Sequence, residues 1–210
     1  MFIAVYTHES KNYCQDKFFN ALLKATPAST INIVDNSETN DNLLTIGQIA
    51  NFNLLHHLTT PAEPKRSKFH RNVFESVNYL RDKFLQTNEQ LFCIVESDVI
   101  VEPLTLKQLE INLLQDIEDP KRGAIGAIYY AGFHDYIKTG IQQTNHVLSG
   151  CTIYLRELIE KYPFRYDENN LIPFPDAWIC YDAGKEYNFY NNHDIILEHA
   201  HNIDGTRYAK

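Results

Sequence analysis

The chain has 210 residues (24.4 kDa), of which 44% are apolar and 22% charged, with 12 Phe and 13 Tyr. That content excludes a disordered chain, and the length suits one domain that buries a sheet between two layers of helices. Nineteen Lys and Arg against 27 Asp and Glu give a net charge of −8, which disfavours a protein that rides on phosphate backbones.

The dense basic patch, Lys65-Arg66-Ser67-Lys68 with His70 and Arg71, also reads as a solvated helix start. The cysteines Cys14, Cys93, Cys151 and Cys180 form no C-x-x-C pair, which argues against a zinc ribbon or a redox motif. Cys93 and Cys151 lie in apolar runs and read as core residues in a reducing compartment. No apolar stretch approaches the roughly 18–20 residues that span a bilayer. The start, Met-Phe-Ile-Ala-Val-Tyr, lacks a basic flank and a cleavage site and reads as a strand rather than a signal peptide. The expectation is a cytoplasmic protein (host cytoplasm, if the source is a virus).

Residues 2–6 are an apolar run, as in a strand buried on both faces, and Thr7, His8, Glu9 and Ser10 follow. Cys14, Phe18, Ala21, Leu22 and Ala25 recur at helical spacing until Pro27. Residues 30–34 form a second strand that runs into Asp35-Asn36-Ser37. This β-α-β opening predicts parallel strands with a right-handed crossover, and puts Thr7, Glu9 and Asp35 on the ligand-binding edge of an open α/β sheet. Residues 38–66 read as about 25 residues of variable loop, with a short strand or helix possible over Ile46 to Leu58.

A helix is predicted from Ser67, with Phe69, Val73, Val77, Leu80 and Phe84 along one stripe. Leu91 to Val95 is a third buried strand, ending in Glu96-Ser97-Asp98. Pro103 suits the first turn of a helix whose core face is Leu106, Leu109, Leu113, Leu114 and Ile117. Residues 122–130 read as a strand with two close-approach glycines, and Val147 to Leu155 as a strand carrying Ser149-Gly150-Cys151. A short helix at 156–161 stops before Pro163, a loop follows, and Asp176 to Tyr181 is helical. Tyr187 to Tyr190 and Ile195 to Leu197 read as two short strands before Glu198-His199-Ala200-His201.

Glu96-Ser97-Asp98 is the most informative feature. Two carboxylates at a buried strand's exit can reach one hard divalent cation, although acid-x-acid triplets also occur as solvated pairs. His199 and His201 follow an apolar strand, and either imidazole can join Asp98 on a transition metal or remain a surface histidine. Asp176 opens a helix, where an acid serves as N-cap or, facing a pocket, as general base. There is no P-loop, no G-x-G-x-x-G and no G-x-S-x-G.

In this order the motifs resemble the GT-A fold of nucleotide-sugar glycosyltransferases, of the broad family-two type, over residues 2–201. Ile33-Val34-Asp35-Asn36-Ser37-Glu38-Thr39 resembles the family's V-D-[DN]-x-S-x-D ending that holds the base. Arg71-Asn72 resembles its R-N pair. Glu96-Ser97-Asp98 resembles D-x-D, with Glu for the first Asp. Ser149-Gly150-Cys151 resembles the S-G-[CAG] segment lining the donor and acceptor pocket. Pro175-Asp176-Ala177-Trp178-Ile179-Cys180 resembles E-D-x-D-L-C, with Pro175 and Trp178 as departures. Ile195-Ile196-Leu197-Glu198-His199 resembles the strand-then-histidine ending of the metal site.

The resemblance implies a single α/β GT-A (Rossmann-like) domain over 1–210, with a mostly parallel central sheet flanked by helices. It implies a metal-dependent glycosyltransferase, inverting, with Asp176 as base and Mn2+ or Mg2+ held by Asp98, His199 and Glu96. The nucleotide-sugar set is Thr7, Glu9, Asp35, Ser37, Arg71, Glu96, Ser149 and Gly150, with a UDP-sugar the foremost donor and the acceptor open. The alternative is a non-catalytic GT-A-like binder of nucleotide and metal, motivated by Glu96 and Pro175. A nucleotidyltransferase on a related sheet would need a basic Gly-rich loop where Thr7-His8-Glu9-Ser10 stands.

Overall fold

The computed structural model describes residues 1–57, 65–129, 138–167 and 174–200. The elements are β1 (Phe2–Thr7), α1 (Gln15–Ala25), β2 (Ile31–Asp35), α2 (Asp41–Gly47), β3 (Asn53–His56), α3 (Lys65–Leu85), β4 (Leu91–Glu96) and β5 (Val99–Ile100). Then come α4 (Thr105–Ile111), β6 (Arg122–Tyr129), β7 (Ile141–Thr144), β8 (Cys151–Leu155), α5 (Arg156–Lys161), α6 (Pro175–Ala183) and β9 (Asn188–His199).

One sheet runs in the order β3-β2-β1-β4-β8-β6-β9-β5, with β7 also paired to β9. The predicted α/β architecture is present. The first four strands are parallel, so β1, β2 and β4 end on a common edge at Thr7, Asp35 and Glu96. β8 enters antiparallel between β4 and β6, and β6 runs parallel to β9.

Strand alternation explains the two layers. Ile3 and Val5 of β1 face one core with Phe18, Phe19 and Leu22 of α1 and Leu106 and Leu109 of α4. Phe2 and Ala4 face the other, with Val77, Leu80 and Phe84 of α3, Leu158 of α5 and Ile179 of α6. Burial on both faces is why these strands read as unbroken apolar runs. The close-approach glycines of β6 are required by packing: a Cβ on Gly123 would stand 2.8 Å from Tyr187 Cβ, and one on Gly126 2.7 Å from Thr152 Oγ1.

Several sequence expectations need correction. Residues 38–66, read as variable loop with a short strand or helix possible over Ile46 to Leu58, contain β3 within that window and α2 mostly before it, and β3 extends the parallel sheet beyond β2. Leu114 is 42% exposed because a π-helical turn (Asn112–Asp116) rotates it off the core face that Leu113 and Ile117 keep. Pro103 lies two residues before α4 rather than in its first turn. β8 begins at Cys151, leaving Ser149 and Gly150 in the preceding turn. The two short C-terminal strands are one, β9, whose register against β6 jumps from Asn192 to Ile196. His201 and the side chains of residues 65–70 lie outside the described residues.

Candidate active site

The sheet brings Asp98 and His199 together by pairing. β5 leaves directly after Asp98 and runs antiparallel to the end of β9, with Val99 opposite His199. The Ala200 N–H donates to the Asp98 carbonyl at 2.7 Å, which fixes the crossing. His199 Nε2 then lies 3.2 Å from Asp98 Oδ2. One ligand atom from each of Glu96, Asp98 and His199 falls within 4.8 Å of the others. Two carboxylates and one imidazole suit a hard or borderline divalent ion. A cation already stands there: the Lys11 ammonium pairs with Asp98 Oδ2.

Neighbouring groups hold the acids apart in character. Glu96 Oε1 accepts from Tyr6 Oη at 2.6 Å and Ser149 Oγ at 2.5 Å. Burial, then the Asp98 charge, pushes its carboxyl above the ordinary range against those two hydrogen bonds. Burial also works against ionised Asp98, but the His199 hydrogen bond and the Lys11 charge outweigh it and hold the carboxyl below the ordinary range. The Tyr6 phenol is pushed well up by burial and by Glu96. The Tyr129 ring stands edge-on to His199, with centroids 4.9 Å apart.

A second group forms at the ends of β1 and β2. Thr7 pairs with Asp35, and the Asn36 N–H donates to the Thr7 carbonyl at 3.1 Å. Ser37 Oγ donates to Asp35 Oδ1 at 2.7 Å and accepts from the Glu9 N–H at 2.8 Å. Asn42 Nδ2 donates to the same Asp35 oxygen at 2.9 Å. Asp35 is fully buried, yet no donor among the described residues reaches its Oδ2. A buried carboxylate oxygen held in place without a donor suits an N–H brought by a ligand. Thr7, Glu9, Asp35 and Ser37 thus form one group on the sheet edge. Arg71 sits on α3, where its Nε donates to Glu75 at 2.9 Å on the same helix.

Asp176 occupies the first turn of α6, behind Pro175 and the extended Phe174, so it is not the N-cap. Its Oδ1 accepts from the Ala177 N–H at 2.9 Å, and its Oδ2 accepts from the Ser149 N–H at 2.9 Å. His146 Nε2 lies 3.3 Å from Oδ2. Burial disfavours protonated His146, but the Asp176 carboxylate outweighs it and lifts the imidazole above its usual value. Ser149 thus joins the two halves of the site, touching Glu96 by its hydroxyl and Asp176 by its backbone. Gly150 is required beside it: a Cβ there would lie 2.2 Å from Tyr129 Cε1.

Sequence reasoning passes over Lys11, Tyr6, Tyr129 and His146. Only Lys11 carries a usable signal, as the one fixed cation in the exit segment from Thr7 to Asn12.

No protein-family model matches the chain, and no curated protein matches it. Solved structures do. The mannosyltransferase PcManGT from Pyrobaculum calidifontis, in complex with GDP-Man and Mn2+, superposes with a TM-score of 0.65 at 14% identity, over 97% of this chain and 57% of that one. S. aureus TarS 1-349 with UDP-GlcNAc gives 0.60 at 14%, over 100% of this chain and 60% of that one. Glucosyl-3-phosphoglycerate synthase from Mycobacterium tuberculosis gives 0.54 at 13%, over 95% and 71%. The chain therefore has the GT-A fold of nucleotide-sugar glycosyltransferases. It spans about three-fifths of the length of the first two of these proteins. None of the described helices is long and apolar enough to cross a membrane.

Proposed function

We propose that the protein is a metal-dependent, inverting glycosyltransferase that moves a hexose from a nucleoside-diphosphate sugar, foremost a UDP-sugar, to an acceptor hydroxyl. One observation carries the reading: Glu96, Asp98 and His199 converge at the edge where Thr7 and Asp35 also end, and Ser149 links that cluster to Asp176. PcManGT was solved with GDP-Man and Mn2+, and TarS with UDP-GlcNAc, which supports a nucleotide sugar as donor and a metal as cofactor. The four cysteines are free and buried, which favours a reducing compartment such as the cytoplasm.

In this reading Asp35 accepts an N–H of the nucleotide base through its unpaired oxygen, and Ser37 and Asn42 hold the carboxylate still. Thr7 and Glu9 border the base from the end of β1, with Arg71 on α3 as a further nucleotide contact. Glu96, Asp98 and His199 would hold Mn2+ or Mg2+. Such an ion, when bound, neutralises charge on the departing diphosphate. Tyr6 and Ser149 fix Glu96 in one rotamer. Asp176 takes the proton from the attacking hydroxyl, and the Ser149 N–H keeps its carboxylate oriented.

The Lys11 ammonium on Asp98 favours a second reading, a nucleotide binder in which lysine replaces the metal. A thermal-shift panel of UDP, GDP and dTDP, with and without Mn2+, separates the two. Saturation at 100 times Kd adds about 2.7 kcal/mol, roughly 5–11 °C for a chain of this size. We expect that shift to need both nucleotide and Mn2+ and to vanish in Asp98→Asn. An equal shift without metal would sink the enzyme reading.

A further inference from the structure

A cavity of about 570 Å³ runs along α6 between that helix and strands β7 and β9, away from the acid cluster. Its walls include Tyr181, Tyr187, Asn145, Asn188 and His146, over a floor that includes Phe189. It is connected to the chemistry through two residues, one of them Ala177, whose N–H donates to Asp176 Oδ1 at 2.9 Å. His146 lines the cavity and also lies 3.3 Å from Asp176 Oδ2.

We propose that this cavity is the acceptor site and that its acceptor is a neutral saccharide. The inference rests on the transferase reading above and adds the substrate class that reading leaves open. Among the described residues, no Lys, Arg, Asp or Glu lines the cavity. A phosphorylated acceptor needs a free cation to meet its charge, whereas the His146 imidazole is already turned to the Asp176 carboxylate, and a nucleic acid needs several cations. A saccharide ring needs what is present: aromatic faces for its C–H surface, and amides and an imidazole for its hydroxyls. Tyr181 is 70% exposed, a large aromatic surface left open to a ligand. The volume falls within the range of small-ligand sites. Asp176 does not itself line the cavity, so an acceptor hydroxyl comes nearest the base at the end formed by His146 and Ala177, which both contact its carboxylate. His146 is thus a positioning residue that shares a wall with acceptor and base.

Trp178 is the single tryptophan of the chain, and its ring stands edge-on to Tyr181 with centroids 5.7 Å apart. Its fluorescence reports on this cavity without any turnover. The whole chain is titrated with lactose, maltotriose and chitobiose, and in parallel with glucose 6-phosphate and a single-stranded DNA oligonucleotide. Saturation-transfer NMR on the same samples maps which protons touch the protein. We expect at least one neutral saccharide to give a saturable response. We expect it to weaken at least tenfold in Tyr181→Ala and in Asn145→Ala, both exposed positions whose loss spares the core. Silence from all three saccharides would overturn the proposal. So would affinity unchanged in both variants, or tighter binding of the phosphorylated sugar or the DNA. The nucleotide and Mn2+ thermal shift is read on the same protein. If it persists while the saccharides are silent, the acceptor proposal alone falls. If it is absent while a saccharide binds, the cavity stands as a saccharide site and the transferase reading falls.

Discussion

Gly150→Ala is the sharpest physical test of how the site is built. The glycine has no Cβ, and an added one would lie 2.2, 2.6 and 3.1 Å from Cε1, Cδ1 and Cζ of Tyr129. The ring has little room to retreat. Tyr129 is 8% exposed, belongs to β6, and packs edge-on against His199. Overpacking of this kind costs about 1–3 kcal/mol, which for a chain of this size lowers Tm by roughly 2–12 °C. The push also falls on His199, so the nucleotide and Mn2+ thermal shift is expected to shrink in the same variant. The decisive assay is a double-mutant cycle in urea with Tyr129→Leu, which removes the ring atoms that the new methyl meets. Gly150→Ala should then cost at least about 1 kcal/mol less in the Tyr129→Leu background than in the native chain. Equal costs in both backgrounds would refute the steric argument.

Three further outcomes follow from other contacts. Asp176→Asn keeps the Ser149 hydrogen bond through its amide oxygen but cannot take a proton; donor turnover should fall about 10²–10⁴-fold while the nucleotide and Mn2+ shift persists, and full turnover would end the base assignment. His146 has its pKa raised in the folded state, so its stabilisation is complete below its unfolded value and is lost as pH rises through the folded one. The imidazole is 40% exposed, so solvent limits the effect to about 0.2–1 kcal/mol, and the Tm gap between native protein and His146→Gln should be wider at pH 5.5 than at pH 8.5. A gap independent of pH would contradict the ion pair. Arg156 donates to the carbonyls of Leu85, Thr87 and Glu89 at 3.2, 3.0 and 2.8 Å, and its guanidinium stands 5.0 Å from the Phe84 ring centroid. Arg156→Lys loses the planar fork and should cost about 1–3 kcal/mol, read as a lower urea midpoint at unchanged slope; an unchanged midpoint would show that one cation suffices there.

What the sequence reveals is what burial writes into it. β1, β2 and β4 are covered on both faces, so their apolar runs stand out, and the polar residues at their exits mark the site edge. α2 is hidden in the sequence and β3 shows only as a short strand or helix, because exposed Leu44 and half-buried Leu54 and Leu55 give neither a clean helical nor a clean strand period. β9 reads as two strands because its middle is Asn191-Asn192-His193-Asp194. Those polar residues are tolerated inside the strand through partners far away in sequence: Asn192 Nδ2 donates to Asn112 Oδ1 at 2.8 Å, and Asn191 Nδ2 to the His146 carbonyl at 3.4 Å. No local pattern announces such partners. The same holds for Tyr129 and His146, which matter only through what the sheet places beside them.

The topology also explains why Ser149 stands at the centre. If β8 paired parallel to β4, its C-terminal end would lie at the edge where Glu96 ends, and the turn before it would lie at the opposite edge. Because β8 is antiparallel, with Cys151 opposite Val95, its entrance meets that exit, and the Glu96 N–H donates to the Gly150 carbonyl at 3.0 Å. One turn can then offer a hydroxyl to Glu96 and a backbone N–H to Asp176. An acid from β4 and an acid from α6, 80 residues apart, are thus referred to a single rigid point. In the proposed reaction those two acids belong to donor and acceptor, respectively. Their separation is then set by the width of one residue on a sheet edge rather than by the packing of two helices, which is the kind of tolerance that group transfer between two bound substrates demands.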